Sequence, residues 1–255
     1  MTKGYNSVQS VERALDILEL VNKKGNLKVS EISKILGLDR STTYRIATTL
    51  KQRGFLSQDP SSKKYQDSFK LFTMGHKILR RLTIHNIAYP YMMDLMTKTN
   101  ESVTLSVLDK VDLMHLAIVE QVETPTSVKV AHCIGNRAHS YTTAMGKIML
   151  SSLPDEDIRT FFSKYTLELL PKKTTRTVDD LISELRTSRE RGYATEHEEY
   201  MEGLNGVAAQ IKGTFDGGLL ASIGISFLKS KYEARQIQCF TEMLKMACDA
   251  ISQEF

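Results

Sequence analysis

Between Val29 and Gln52 the chain has room for two helices and almost nothing between them. VSEISKILGL sets Ile32, Ile35 and Leu36 on one side, with Ser30 near its start, and stops at Gly37; two residues later Asp39 is placed to cap a further helix, RSTTYRIATTL. Glycine ends a helix because it takes left-handed backbone without steric cost, and aspartate starts one by accepting a hydrogen bond from a free N–H group. On the later helix Thr43, Ile46, Ala47 and Leu50 share one face. Ser41, Tyr44, Arg45 and Thr48 share the opposite one, two residues out of phase at about 100° each. One face packs and the other is left for a partner, which is the helix-turn-helix plan, whose second helix enters the DNA major groove by its first turns. Arg40 and Arg45 can pair with guanine edges or phosphates. Ser41 and Thr42 can bond phosphates together with the helix's free N–H groups, and Tyr44 can reach a phosphate or a thymine methyl.

The flanking sequence extends this plan. From Val8 to Lys24 the apolar residues Val11, Ala14, Leu15 and Leu18 recur at helical spacing, and the KKGN segment ends that helix. GFLSQDPSSKKYQDS predicts a strand at Phe55 to Ser57, a turn at Asp59 to Ser62 and a returning strand near Lys64 to Gln66. That hairpin is a wing, with Lys63 and Lys64 at its tip facing an adjacent phosphate track. Through Thr83 there are sixteen Lys and Arg against seven Asp and Glu, a net charge of +9, whereas the remainder carries −5. A basic module on an acidic body suits a nucleic-acid binder, because cations that neutralise phosphates release counterions. A single-strand or RNA binder would need stacking aromatics, and Tyr44 stands alone on this surface.

The expected organisation is α+β and multidomain: residues 1–68 a winged helix-turn-helix domain, 69–84 a linker helix, 85–255 an effector-binding domain. FKLFTMGHKILRRL aligns Leu71, Met74, Ile78 and Leu82, with Phe72 and Leu79 beside them, more apolar surface than a small winged domain needs. Pairing of two such helices would make a homodimer and set two recognition helices on a palindromic site. Beyond it the pattern predicts a helix over Asn86 to Thr99 and strands on either side of an Asp109-Lys110 turn, then a strand at SVKVAHCI (Ser127 to Ile134). Helices follow near Thr142 to Leu150, Asp155 to Phe162 and Val178 to Arg191. GVAAQIK and LLASIGISFL are strands joined at Asp216 to Gly218, and a terminal helix runs from about Lys231 to Ser252. Such a sheet with helices laid on it can enclose a small-molecule cavity. The longest apolar run, GLLASIGISFL, is too short to span a bilayer, and the N-terminus has no signal core. Three cysteines without ligand spacing fit a reducing compartment, so the expected location is cytoplasmic, with no membrane partner.

Four blocks, SVQSVERALDILELV, EISKILGLDRSTTYRIATTLKQRGFL, YTTAMGKIML and RGYATEHEEYMEGLNGVAAQI, occur in the order and spacing of IclR-type bacterial transcriptional regulators, and the resemblance covers essentially the whole chain. It implies a winged helix-turn-helix, a linker helix and a GAF-like effector domain. It also implies dimers that pair into tetramers, and repression or activation of a catabolic operon by a small organic, aromatic or sugar acid. Carried onto this chain, the effector site falls on Thr143, Ala144 and Met145 at a helix start, Glu196 and Gly206 in the last block, and Gly224 and Ser226 on the final strand. Glu196, Gly206 and Gly224 stand where some relatives have Asp, Cys and Ser, which implies a different ligand. Free N–H groups at Thr143 to Met145 suit a carboxylate, and His115 is a minor candidate for the same cavity.

Two other functions compete: an enzyme acting on a small carboxylate with a fused DNA-binding domain, and a ligand-independent DNA-binding protein. His132, Cys133 and His139 suggest zinc, but on a strand His132 and Cys133 would face opposite ways. EHEEYME is a solvated charge run or a cation site. Ser226 and Lys229 form an S-x-x-K pair whose strand geometry spoils proton transfer. No nucleophile elbow, phosphate loop or dinucleotide fingerprint is present, so no catalytic residue, metal or cofactor is expected.

Overall fold

The computed structural model describes residues 8–108, 110–165, 167, 177–215 and 219–255. The chain divides into two compact units, Met1–Leu79 and Arg80–Phe255.

In the first unit, helices α1 (Gln9–Lys24), α2 (Val29–Leu36) and α3 (Arg40–Gln52) precede a hairpin of β1 (Leu56–Gln58) and β2 (Tyr65–Asp67). Gly37 ends α2 in left-handed backbone at φ 64°, and the Asp39 carboxylate caps α3 by accepting from Thr42 N–H at 2.8 Å. Ile17, Val21, Ile32, Ala47, Leu56 and Tyr65 form the buried centre, and Leu27 and Tyr65 exchange backbone hydrogen bonds that hold the hairpin on the helices. The core face of α1 differs from expectation. Ile17 and Val21 are buried with Leu18 beside them, whereas Val11 and Leu15 are 55% and 53% exposed. Both sets satisfy helical spacing, and only packing against Ile32 and Tyr65 selects one. Helix α4 (Phe69–Arg81) has no buried residue; Phe69, Phe72, Met74 and Ile78 are exposed, and Phe72 stacks on His76.

The second unit is a six-stranded antiparallel sheet of order β5-β4-β3-β8-β7-β6, formed by β3 (Val103–Leu108), β4 (His115–Val122), β5 (Arg137–His139), β6 (Ala194–His197), β7 (Leu204–Phe215) and β8 (Leu219–Leu228). Helices α5 (Thr83–Thr99), α6 (Ala144–Leu150) and α9 (Ala234–Ser252) pack on the sheet, while α8 (Val178–Arg191) packs on α6 and α7 (Asp155–Phe162) on α8. Alternation along β8 assigns the faces. Ser222 Oγ donates to the Met145 carbonyl of α6, whereas Phe227 packs against Phe240 of α9. Even-numbered residues of β8 therefore meet α6 and odd-numbered ones meet α9.

The strand expected over Ser127 to Ile134 does not form; the edge strand is Arg137–His139 instead. The amide of Gln121 supplies the reason: it accepts from His132 N–H at 2.7 Å and donates to the Val130 carbonyl at 3.3 Å, so one side chain replaces a ladder. The block after Arg191 contains a further strand, β6, paired with Asn205–Ala208. Asp109 and Asp216 to Gly218, where two turns were expected, lie outside the described residues.

Helix α6 is buried at every residue, and Gly146 lets it approach Ser140: a Cβ there would lie 2.2 Å from Ser140 O and 2.3 Å from its Cα. Backbone cannot yield as a side-chain tip can, so Gly146→Ala should destabilise the second unit by about 3 kcal/mol, at the upper end of overpacking costs. Hydrogen exchange should show faster exchange at β7 and β8 with α1 to α3 unchanged.

Candidate nucleic-acid interface and effector site

The outer ridge of α3 is free. Tyr44 is 57% exposed, Arg40, Ser41 and Arg45 are exposed, and Thr43 and Ala47 on the opposite side are fully buried. Arg40, Ser41, Tyr44 and Lys63 line one open cleft of about 1010 Å³, together with Lys28 and Ser30 at the start of α2 and Gln58, Ser61 and Ser62 of the hairpin. Thr42 and Arg45 lie on the other flank, in a groove with Gln9, Ser10 and Arg13 of α1. Lys64 is half-buried where the hairpin returns. The helix start is less open to phosphates than expected, because Asp39 takes both Thr42 N–H and the Ser41 hydroxyl (2.8 Å each). Hydrogen bonds from Thr42 and Ser41 hold its carboxyl well below the usual carboxylate range.

The hairpin is braced to α3 by a residue that the sequence pattern did not single out. Gln58 accepts from Lys51 Nζ at 2.9 Å and donates to the Lys63 carbonyl at 3.0 Å. Asp59 gathers Ser61 Oγ, Ser62 Oγ and Ser62 N–H, and Lys63 turns the tip with φ 58°. The chemistry is that of a cationic, hydroxyl-rich concavity open to a polyanion.

In the second unit, strand register brings the expected effector residues together. Glu196 pairs with Gly206, and Gly206 pairs with Ser226. A Cβ at Gly206 would lie 3.4 Å from Glu196 Oε2 and 3.8 Å from Ser226 Oγ, so the absent side chain leaves a gap between the two. Two strand positions along, Met145 of α6 lies over Gly224, where a Cβ would lie 2.6 Å from its Cγ. Thr143 caps α6 by accepting from Gly146 N–H at 3.1 Å. The expectation of free N–H groups at this helix start is corrected: Ala144 N–H hydrogen-bonds to the Glu196 carboxyl, which also accepts from Tyr200 N–H at 3.2 Å. The protein's own acid occupies the end expected to receive a ligand's.

Burial raises Glu196 from its ordinary 4.5 to about 7, against the opposing pull of the Tyr200 N–H and Lys147. His132 approaches Ser226 Oγ at 3.5 Å and the Tyr200 ring edge-on at 6.4 Å, and burial holds its imidazole below the ordinary value, hence neutral at pH 7. Gln121 reaches Thr104 Oγ1 at 3.3 Å. Tyr200, Gln121 and Thr104 escaped the sequence reading, and His132 entered it only as a candidate zinc ligand. A glutamine inside an apolar strand is the one signal that pointed there. His115 sits at the far end of β4, against Asp112 and the His139 ring.

Lys147 holds this region in place. It is fully buried, and its Nζ donates to Glu184 of α8 at 2.5 Å and to both Glu199 oxygens at 2.7 and 2.9 Å. Among the described residues no group of His, Cys, Asp and Glu is arranged to hold a metal. The strand argument against zinc no longer applies, since His132 and Cys133 are not on a strand. Lys229 pairs with Glu198 at 2.8 Å. No described helix is long and apolar enough to cross a membrane.

Residues 10–60 match the IclR helix-turn-helix domain and residues 76–253 match the bacterial transcriptional regulator IclR C-terminal domain. The chain is 30% identical over 247 residues to the HTH-type transcriptional regulator XynR of Escherichia coli K12, covering 96% of each chain. It superposes on the crystal structure of the Thermotoga maritima IclR with a TM-score of 0.70 at 28% identity, covering 96% of this chain and 98% of that one. An IclR homolog from Microbacterium hydrocarbonoxydans, complexed with 4-hydroxybenzoate, shares the fold with a TM-score of 0.75 at 20% identity, over 96% of this chain and 98% of that one. These names point to transcription regulation rather than to catalysis.

Because the native Glu196 carboxyl holds its proton up to about pH 7 while the unfolded one loses it near 4.5, the native state binds more protons in that window. Stability should therefore fall as pH rises through it, by about 3 kcal/mol. Glu196→Gln removes this component, so its denaturation midpoint should vary less than wild type between pH 4.5 and 7. Parallel profiles would place the titration elsewhere.

Proposed function

Since this chain belongs to the IclR family of bacterial transcriptional regulators, we propose that it grips a palindromic operator as a homodimer and is switched by a small organic, aromatic or sugar acid. The regulated genes form a catabolic operon, and the protein works in the cytoplasm without catalysis or a cofactor. The observation that carries the DNA half is the convergence of Arg40, Ser41, Tyr44 and Lys63 on one cleft at the start of α3. In this reading Arg45 and Thr42, on the other flank, engage the phosphates beyond the groove edge, and Lys64 adds charge at the wing. The exposed Phe69, Phe72, Met74 and Ile78 of α4 support pairing of two copies, and dimers of dimers follow if a second surface joins.

The effector is held between Thr143, Ala144 and Met145 above and Glu196, Gly206, Gly224 and Ser226 below. The 4-hydroxybenzoate complex of a protein of the same fold supports an acid of that size. With its proton retained to near neutrality, Glu196 donates to a bound carboxylate instead of repelling it. Effector and operator then couple reciprocally, each weakening the other by the same factor, about 1–3 kcal/mol.

Two variants separate the halves. Arg45→Ala should lose operator binding in a mobility-shift assay, by about tenfold or more if it contacts a base or a close phosphate pair, and leave effector affinity of the free protein intact. Loss of both together would contradict the division. Gly206→Val places methyl groups between Glu196 and Ser226 and should keep operator affinity while abolishing release by organic acids. Normal release would remove Gly206 from the site.

A further inference from the structure

Two connections between strands meet at Ser226: residues 123–136, between β4 and β5, and residues 198–203, between β6 and β7. The first brings His132, whose Nε2 lies 3.5 Å from Ser226 Oγ. The second brings Tyr200, whose ring meets that imidazole edge-on at 6.4 Å and whose N–H donates to the Glu196 carboxyl at 3.2 Å. Across the sheet Glu196 pairs with Gly206, and Gly206 with Ser226. Contacts and register together close a circuit, Glu196 to Tyr200 to His132 to Ser226, around the gap that the missing side chain of Gly206 leaves.

Gln121 fixes the imidazole's place in this circuit. Its Oε1 accepts from His132 N–H at 2.7 Å, and its Nε2 donates to the Val130 carbonyl and to Thr104 Oγ1, both at 3.3 Å. Both ends of the amide are engaged, so Gln121 holds the segment and is not itself open to a ligand. His132 and Ser226 differ from it. Hydrogen bonds to nitrogen ordinarily span about 2.7–3.2 Å, so their contact is loose, and neither side chain makes another hydrogen bond among the described residues. Burial keeps the imidazole neutral, and a neutral imidazole has one donor and one acceptor nitrogen.

The group that a ligand can present at this end is therefore restricted. Lys147, on the adjoining α6, is committed to Glu184 and Glu199, and Lys229, just past β8, to Glu198. A second carboxylate here would lose its water without gaining a countercharge. A hydroxyl both donates and accepts, so it can bond Ser226 and His132 together while the acid's one carboxylate meets Glu196.

We propose that His132 determines the specificity of the effector site, selecting monocarboxylic acids that carry a hydroxyl over those that lack one, and that Gln121 is the residue that positions it. The inference rests on the effector site argued above and adds to it a contact from outside the sheet.

The full-length protein is titrated calorimetrically, at one pH and ionic strength, with two pairs of acids: 4-hydroxybenzoate and benzoate, glycolate and acetate. In at least one pair the hydroxylated acid should bind about tenfold tighter or more, as expected for hydrogen bonds to buried groups that its partner leaves unmade. His132→Phe should bring that ratio to about one, with the loss falling on the hydroxylated acid. His132→Gln, which restores a donor and an acceptor, should recover part of it. Gln121→Glu turns an acceptor onto the Val130 carbonyl and should lower the ratio too, by moving His132. A merely structural role would weaken both acids of a pair alike. That result, a ratio kept in His132→Phe, or no preference or no saturable binding in the wild type overturns the proposal. Gly206→Val separates this from the site itself: loss of all binding there with the ratio intact in His132→Phe removes His132 alone, whereas unchanged binding in Gly206→Val removes the site.

Discussion

A lysine ammonium with no solvent exposure holds the effector unit's working parts in register. Lys147 joins α6 to Glu184 of α8 and to Glu199 in the segment after β6, so three pieces far apart in sequence share one charge. Seven residues are too few for a helix to persist by itself. Helix α6 exists because the ion cluster, the Thr143 cap and the close approach at Gly146 leave it one place to be. A buried ion pair adds little net stability over an apolar substitute, but breaking it strands a charge. Its consequence here is positional: Glu199 and Glu196 lie three residues apart, so anchoring the first sets the second beside the α6 start and Gly206.

The same logic of early commitment governs the winged unit. Asp39 satisfies the start of α3 with a carboxylate, and the helix thereby gives up part of its attraction for phosphates. Attraction for phosphates is then left to side chains, and polar ones line a groove on each flank: Arg40, Tyr44 and Lys63 on one, Arg45 with the α1 residues on the other. Gln58 ties the wing to α3 through Lys51, so the tip and the recognition helix share one brace.

Much of this was legible in the chain. Amphipathic spacing with a glycine stop and an aspartate cap located α2 and α3 to within a residue, and α7 and α8 likewise, because capping is a local interaction. Failures occurred where two local solutions were equally good. Val11 and Leu15 of α1 fit a helical stripe as well as Ile17 and Val21, and the β-branched residues of Ser127 to Ile134 would suit a strand had Gln121 not taken up their backbone groups. The candidate effector residues were reached by resemblance. What escaped was their company: His132 and Tyr200 come from segments without secondary structure, and no spacing rule links them to Ser226.

The sequence by itself determined the boundaries of α2, α3, α7 and α8, the basic and acidic division of the chain and the outward polar ridge of α3, since each follows from the local run of residues, whereas α5 begins three residues before, and α9 three residues after, the start its pattern predicts. Tertiary structure alone decided which face of α1 is core, that Glu196 rather than an incoming acid meets the start of α6, and that His132 comes to Ser226. Those outcomes depend on strand register and helix packing between segments tens of residues apart, where a one-residue slip would turn every side chain to the other face.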